Sequence, residues 1–285
     1  MKLVGHRVAI ALVAAALPVT LPAQWPDHPS PKTPRTADGK PKLDAPTPRT
    51  PDDKPDLSGV WDYAGRIGLP RNSIPGVPAE PPPEPAKDGP PAATFFDIGG
   101  GFKGGLPLRP AAAELLKKRK AENSKDNPDA HCLPLGLMQL HTHPQPRKII
   151  QTPGVIVILY EAQAGIRQIF TDGRTLPSAA DAQPWWYGYS VGHWDGDTLV
   201  VETNGFRDDV WLDVFGSPLT NAGKMIERFR RPNYGTLQID VTIDDPSVYT
   251  KPFTVRVNQK IAPDTELIEF ICQENDRSGA HLVGK

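Results

Sequence analysis

Residues 185–206, WWYGYSVGHWDGDTLVVETNGF, decide the fold, because turn chemistry and strand pattern agree there. Asp195-Gly196 supplies two residues that tolerate positive φ, and apolar and β-branched runs flank them, the strongest short-range hairpin signal. With Asp195-Gly196 as a type I′ turn, Trp194 faces Asp197 and His193 faces Thr198. One face of the hairpin then carries Tyr189, Val191, His193, Thr198, Val200 and Glu202, and the other carries Ser190, Gly192, Trp194, Leu199 and Val201. The first face mixes a phenol, an imidazole and a carboxylate with valines, as the wall of a polar lumen would. Its alternative is a solvated outer surface. The second face reads as packing, and a one-residue slip would exchange the two.

Short strands with turns between them continue outward from the hairpin. Residues 155–161 (VIVILYE) are nearly all apolar, and 166–170 return after a short loop. Residues 225–230, 236–243, 252–261 and 266–272 follow. The run 236–243 alternates cleanly, with Leu237, Ile239, Val241 and Ile243 on one face, as a strand buried on one side should. With a first strand around Trp61, the expectation is an all-β antiparallel barrel of about nine strands, with a β-sandwich as the alternative. Residues 110–125 (PAAAELLKKRKAENSK) are the one convincing helix, opened by proline and stopped by Asn127-Pro128.

The ends bound location and organisation. Residues 1–23 read as a signal peptide: Lys2 and Arg7, then an apolar run too short to span a bilayer, then Leu21-Pro22-Ala23. The mature chain is expected to be secreted or periplasmic, with no transmembrane segment. Twenty of the 34 prolines fall between residues 24 and 110, so this third cannot be mostly regular structure. Residues 24–56 are expected as a disordered, proline-rich tether. Within it TPRTADGKPKLD (33–44) is echoed by TPRTPDDKPDLS (47–58). Residues 57–285 form the barrel domain, with a proline- and glycine-rich insertion at 65–108. A formal net charge of -1, with the basic turn Lys117 to Lys120 reading as a solvated face at the helix C-terminus, gives no reason to expect nucleic acid. Cys132 and Cys272 are expected to pair, since export permits a disulfide.

Few motifs carry chemistry. The glycines at 99–105 lack the Gly-Lys-Ser/Thr of a phosphate loop, and no Gly-x-Ser-x-Gly elbow exists. No cofactor is implied. His141 and His143 would share a strand face, but no glutamate follows to complete a cupin-like set, and no metal site is assigned. Glu161, Glu202 and Glu227 are carboxylates near the expected lumen, with Arg167 and Arg228 as counter-charges. A pair of these carboxylates would suit acid–base work; Glu227-Arg228-Phe229 reads equally as a structural ion pair. Trp185, Trp186, Tyr187 and Tyr189 cluster before the hairpin, either to stack on a ligand or to seal the barrel end.

The set PDLSGVW (55–61), Cys132-Leu133-Pro134, VILYE (157–161), GDTLVVET (196–203) and Glu227-Arg228-Phe229 resembles a family of secreted bacterial proteins. That resemblance implies a lipocalin-like barrel and supplies no activity. Members carry a Pro-His-Ser-Glu element where this chain has Pro218-Leu219-Thr220-Asn221. The expected function is binding of a small organic or glycan ligand in the lumen by Tyr160, Arg167, Trp186, Tyr189 and Arg228. The alternative is a cofactor-free isomerase, lyase or hydrolase that uses His193 and Glu202 for proton transfer. A structural envelope protein would instead have its lumen plugged by apolar side chains.

Overall fold

The computed structural model describes residues 29–66, 68, 89–178, 181, 183–272 and 274. The expected export signal and residues 67 and 69–88 of the proline-rich insertion lie outside the described residues. In chain order the elements are β1 (Gly59–Tyr63), α1 (Pro110–Ala121), α2 (Leu137–Thr142), β2 (Arg147–Thr152), β3 (Val155–Tyr160), β4 (Gly165–Phe170), β5 (Tyr189–Asp195), β6 (Thr198–Asn204), β7 (Val210–Trp211), β8 (Pro218–Leu219), β9 (Lys224–Asn233), β10 (Thr236–Asp244) and β11 (Phe253–Ile261).

Nine strands close a barrel in the order β1-β11-β10-β9-β6-β5-β4-β3-β2, and β7 pairs with β8 outside it. The strand count matches the expectation, but the membership does not. Arg147–Thr152 is a barrel strand, while residues 266–272 form none. The barrel is also mixed: every pairing is antiparallel except β4 with β5, which run parallel through only Ile169↔Ser190 and Phe170↔Val191. A parallel neighbour needs a crossover, and residues 171–188 supply it.

The opening hairpin forms, with a corrected turn. Asp195 pairs with Thr198 and His193 with Val200, so Gly196-Asp197 is the two-residue loop. Gly196 carries the positive φ, +57°, at the first central position, where a type II′ turn requires it. The register moves by two residues, so the division into two faces survives. Their orientation is the reverse of the lumen reading. Ser190, Gly192, Leu199, Val201 and Thr203 are buried toward the interior, whereas His193 is exposed and Glu202 lies half-buried on the outer wall.

Inward-facing side chains fill most of the barrel. Trp61, Ile158, Leu199, Val201, Phe229, Leu237, Ile239, Val241, Val255 and Val257 are all fully buried. At roughly 25 cal/mol per Å² of apolar surface removed from water, this packing is the main stabilising term. The interior is therefore largely an apolar core, polar at the end where α2 enters and again at the buried Arg231 and Gln259.

Residues 29–56, expected as a disordered tether, pack on the barrel instead. The two repeat copies fold into matching turns. The Thr36 amide donates to the Lys40 carbonyl and the Thr50 amide to the Lys54 carbonyl, both at 2.9 Å. Arg35 bonds the Gly39 carbonyl and Arg49 the Asp53 carbonyl. Each arginine then reaches an aspartate on a barrel loop, Arg35 to Asp264 at 2.6 Å and Arg49 to Asp197 at 2.7 Å. Proline restricts the unfolded chain, so little entropy opposes fixing these turns.

Cys132 and Cys272 are bonded, with Cα atoms 5.6 Å apart and 140 residues between them. The bridge ties the segment after β11 back to the loop before α2. Replacing both cysteines with serine is expected to lower unfolding free energy by up to about 5 kcal/mol, the chain-entropy limit for so long a loop. Chemical denaturation with and without the bridge measures this, and an unchanged midpoint would show that the loop is closed by other contacts.

Candidate functional site

The polar end of the interior is built around Glu227. On β9 the residues Met225, Glu227 and Phe229 share the inward face, and Glu227 is 0% exposed. An unpaired carboxylate there would cost several kcal/mol. Arg167, inward on β4 and 2% exposed, answers it through both Nη1 (2.9 Å) and Nη2, a forked ion pair. The same guanidinium donates from Nε to Ser190 Oγ at 3.1 Å and from Nη2 to Thr203 Oγ1 at 3.1 Å. Its donors are thereby spent on three neighbouring strands. Burial alone would raise the Glu227 carboxyl, but the Arg167 charge and the His141 bond outweigh it and hold the pKa at about 2.

The third partner comes from α2. His141 is 1% exposed, and its Nε2 lies 2.7 Å from Glu227 Oε1. Burial holds the imidazole below its usual range, so at neutral pH the ring is neutral and Nε2–H donates to the carboxylate. Its Nδ1 is then a buried lone pair with no hydrogen-bond partner among the described residues. Arg147 on β2 sets the position of α2, donating to the carbonyls of His141 (3.0 Å), His143 (2.6 Å) and Gln145 (2.6 Å). A cation at the C-terminus of the helix satisfies carbonyls that the helix leaves open. Burial pushes the Arg147 pKa down to about 10, which leaves it charged at neutral pH. The Tyr160 hydroxyl faces the Arg167 guanidinium without making a hydrogen bond of good geometry, and burial pushes its pKa up to about 12.

This cluster lies buried behind an opening in the wall. The parallel pairing of β4 and β5 covers only the last two residues of β4. Residues 185–188 turn away to meet Phe206, leaving a gap beside the first half of β4. The turn depends on Gly188, whose φ is +63° and where a Cβ would sit 2.6 Å from the Asn204 carbonyl oxygen. The gap is a cleft of about 320 Å³ with Trp185, Trp186, Tyr187 and Tyr189 on its walls and Arg167 and Ser190 at its floor. Trp185 at 50% and Ile166 at 59% exposure stand at its rim. Arg174 stacks on Phe170 at 3.8 Å and donates to the Tyr189 hydroxyl at 3.0 Å, fixing one wall. Arg207 lies over Trp186 at 4.6 Å.

Of the expected ligand residues, Arg167, Trp186 and Tyr189 meet in this cleft, and Tyr160 lies behind it, 6.3 Å from Tyr187 between ring centres. His193, Glu202 and Arg228 do not join them. Glu202 pairs with Lys224 and Arg228 with Asp195, both on the outside. The ion pair read into Glu227-Arg228 is thus replaced by Glu227 with Arg167, because neighbours on a strand point to opposite faces. The alternation of Met225, Glu227 and Phe229 was the available signal that Glu227 points inward. His141 had no such signal, since its segment is a helix rather than a strand.

No protein-family model matches the chain, and no curated protein or solved structure is detectably similar to it.

Replacing Glu227 with glutamine leaves the Arg167 charge buried and unanswered, and is expected to cost about 3–5 kcal/mol of stability. The pH dependence follows from the same shifts. The Glu227 carboxyl is depressed from an ordinary 4.5 to about 2, so its contribution is complete above pH 4.5 and is lost as pH falls toward 2. Neutral burial of His141 acts in the same direction below its ordinary value of 6.5. Denaturant melts across this range are expected to show stability declining with acid, with a shallower decline in the Glu227→Gln variant. Equal slopes would refute the assignment.

Proposed function

We propose that this chain is an exported barrel protein that binds a small glycan or planar organic ligand, and that the site is the cleft beside β4 rather than the lumen. The observation that carries the reading is a rim of exposed Trp185 and Ile166 over a polar floor. Large apolar side chains left open in a concavity mark a ligand surface. Aromatic faces stack on sugar rings and planar molecules, while Gln168 offers hydrogen bonds at the wall. The fork of Arg167 on Glu227 keeps the floor fixed before a ligand arrives, which reduces the ordering cost of binding. Export agrees with the disulfide and with the signal-like start of the chain.

A second reading, proton-transfer catalysis, is favoured by one feature: His141 Nδ1 and the Tyr160 hydroxyl lie unpartnered beside a charged carboxylate. In that reading His141, not His193, is the base. His141→Asn would then abolish turnover and leave affinity intact.

Tryptophan fluorescence titration against an oligosaccharide panel and small aromatic acids tests the site. For the ligand that binds, Trp185→Ala is expected to cost about 2 kcal/mol, roughly a thirtyfold rise in Kd. His193→Ala and Glu202→Gln should leave affinity unchanged. Unaltered binding by Trp185→Ala, or loss of binding in the two outer-face variants, would place the ligand elsewhere.

A further inference from the structure

We propose that the groove beneath the second repeat copy binds an oxyanion, the phosphate of a phosphate ester or the carboxylate of an acidic sugar. This groove is the larger concavity, about 640 Å³, and shares no lining residue with the aromatic cleft. Four arginines contribute to its lining, Arg49, Arg230, Arg231 and Arg256, of which Arg231 turns its guanidinium inward toward Trp61, and Asp197 is the carboxylate among the lining residues. The primary sequence hides this concentration, because Arg49 comes from the repeat, Arg230 and Arg231 from β9, and Arg256 from β11.

Two of these arginines share one carboxylate. Asp197 answers Arg49 at 2.7 Å, and Asp53 reaches the same arginine at 3.5 Å from a solvent-exposed position. Asp240, on the neighbouring strand β10, is shared between Arg230 at 2.5 Å and Arg256 at 2.6 Å. Arg231 has no carboxylate within ion-pair distance among the described residues. Its donors go to the neutral carbonyls of Asp56, Ser58 and Tyr234, and its guanidinium lies 4.8 Å from the Trp61 ring and 5.1 Å from that of Tyr234. The Asp56 carboxylate is engaged instead by the Ser58 amide.

A separate observation points the same way. Arg230 Nε is buried with no hydrogen-bond partner among the described residues, so a donor remains unspent on a residue that lines the groove. Burial lowers the Arg231 pKa to about 10, against the opposing pull of the Asp56 carboxylate. Planar guanidinium forks match carboxylate and phosphate oxygens in pairs, and several of them around one concavity suit an oxyanion far better than a neutral sugar. The second repeat copy forms one wall through Pro46, Thr47, Arg49 and Pro55. This gives the duplication a use beyond bracing the barrel: the Arg49–Asp197 contact closes the groove.

Isothermal titration of the full chain at low ionic strength, with inorganic phosphate, glucose 6-phosphate and trigalacturonic acid as probes and galactotriose as the neutral control, tests the site. Saturable binding of at least one anionic probe, weakened by added salt and absent for galactotriose, is expected. Binding of the phosphates alone or of the uronate alone identifies the source of the oxyanion. Gln238 lines the groove and takes part in no ion pair, so Gln238→Glu adds a negative charge there without removing a contact. It should weaken binding at least about tenfold, ~1.4 kcal/mol, and Gln238→Lys should strengthen it. Arg230→Gln, a half-exposed position, should also weaken it, with melting curves confirming that each variant folds. No saturable binding of any anionic probe at millimolar concentration, or equal affinity in Gln238→Glu, would overturn the proposal.

Discussion

A carboxylate that stays charged inside the barrel governs the rest of the structure. Glu227 has no solvent to share its charge with, so its two oxygens must be met by the protein. Arg167 meets both, and this places a second buried charge whose remaining donors need acceptors of their own. Ser190 and Thr203, facing each other across β5 and β6, provide them. His141 completes the set from α2, and Arg147 anchors α2 by its carbonyls. Removing any one of these groups leaves another polar atom stranded, which is why strands β4, β5, β6 and β9 and helix α2 are coupled at this end.

The same constraint explains the opening in the wall. Arg167 must lie opposite Glu227 and beside Ser190, which fixes where β5 meets β4. A parallel partner reached by an 18-residue crossover cannot follow β4 along its whole length while residues 185–188 turn toward Phe206. The uncovered half of β4 becomes the cleft, and the crossover lays its aromatic residues along the edge. The polar core and the aromatic surface are thus two consequences of one arrangement, with Arg167 common to both.

Local rules were enough to read the hairpin, the alternation of Leu237, Ile239, Val241 and Ile243, the disulfide and helix α1. The two faces of the hairpin were also separable, because a two-residue change in register preserves them. Which face looked inward was not legible from composition. Here the interior accepts Ser190, Thr203, Arg167 and Glu227, while the outer wall buries Val200 to 6% exposure, so hydrophobicity did not discriminate. Strand β2 was missed because Arg147, Lys148 and Gln151 obscure its pattern; Arg147 is buried as the anchor of α2. Residues 266–272 carried a strand-like pattern but form no strand, and the disulfide ties their end to the loop before α2. The proline-rich arm departs from expectation for a related reason: its composition points to disorder, whereas the repeated turns are closed by the long-range contacts of Arg35 and Arg49.

The central claim is that Glu227 is ionised, shared by Arg167 and a neutral His141 protonated on Nε2. Nitrogen-15 NMR of histidine-labelled protein tests it most directly, with His141→Asn identifying the resonance. One protonated and one unprotonated ring nitrogen are expected for His141 at neutral pH, unchanged as pH is lowered through the ordinary histidine range. A His141 signal that titrates with a pKa near 6.5, or that shows both nitrogens protonated at neutral pH, would contradict it.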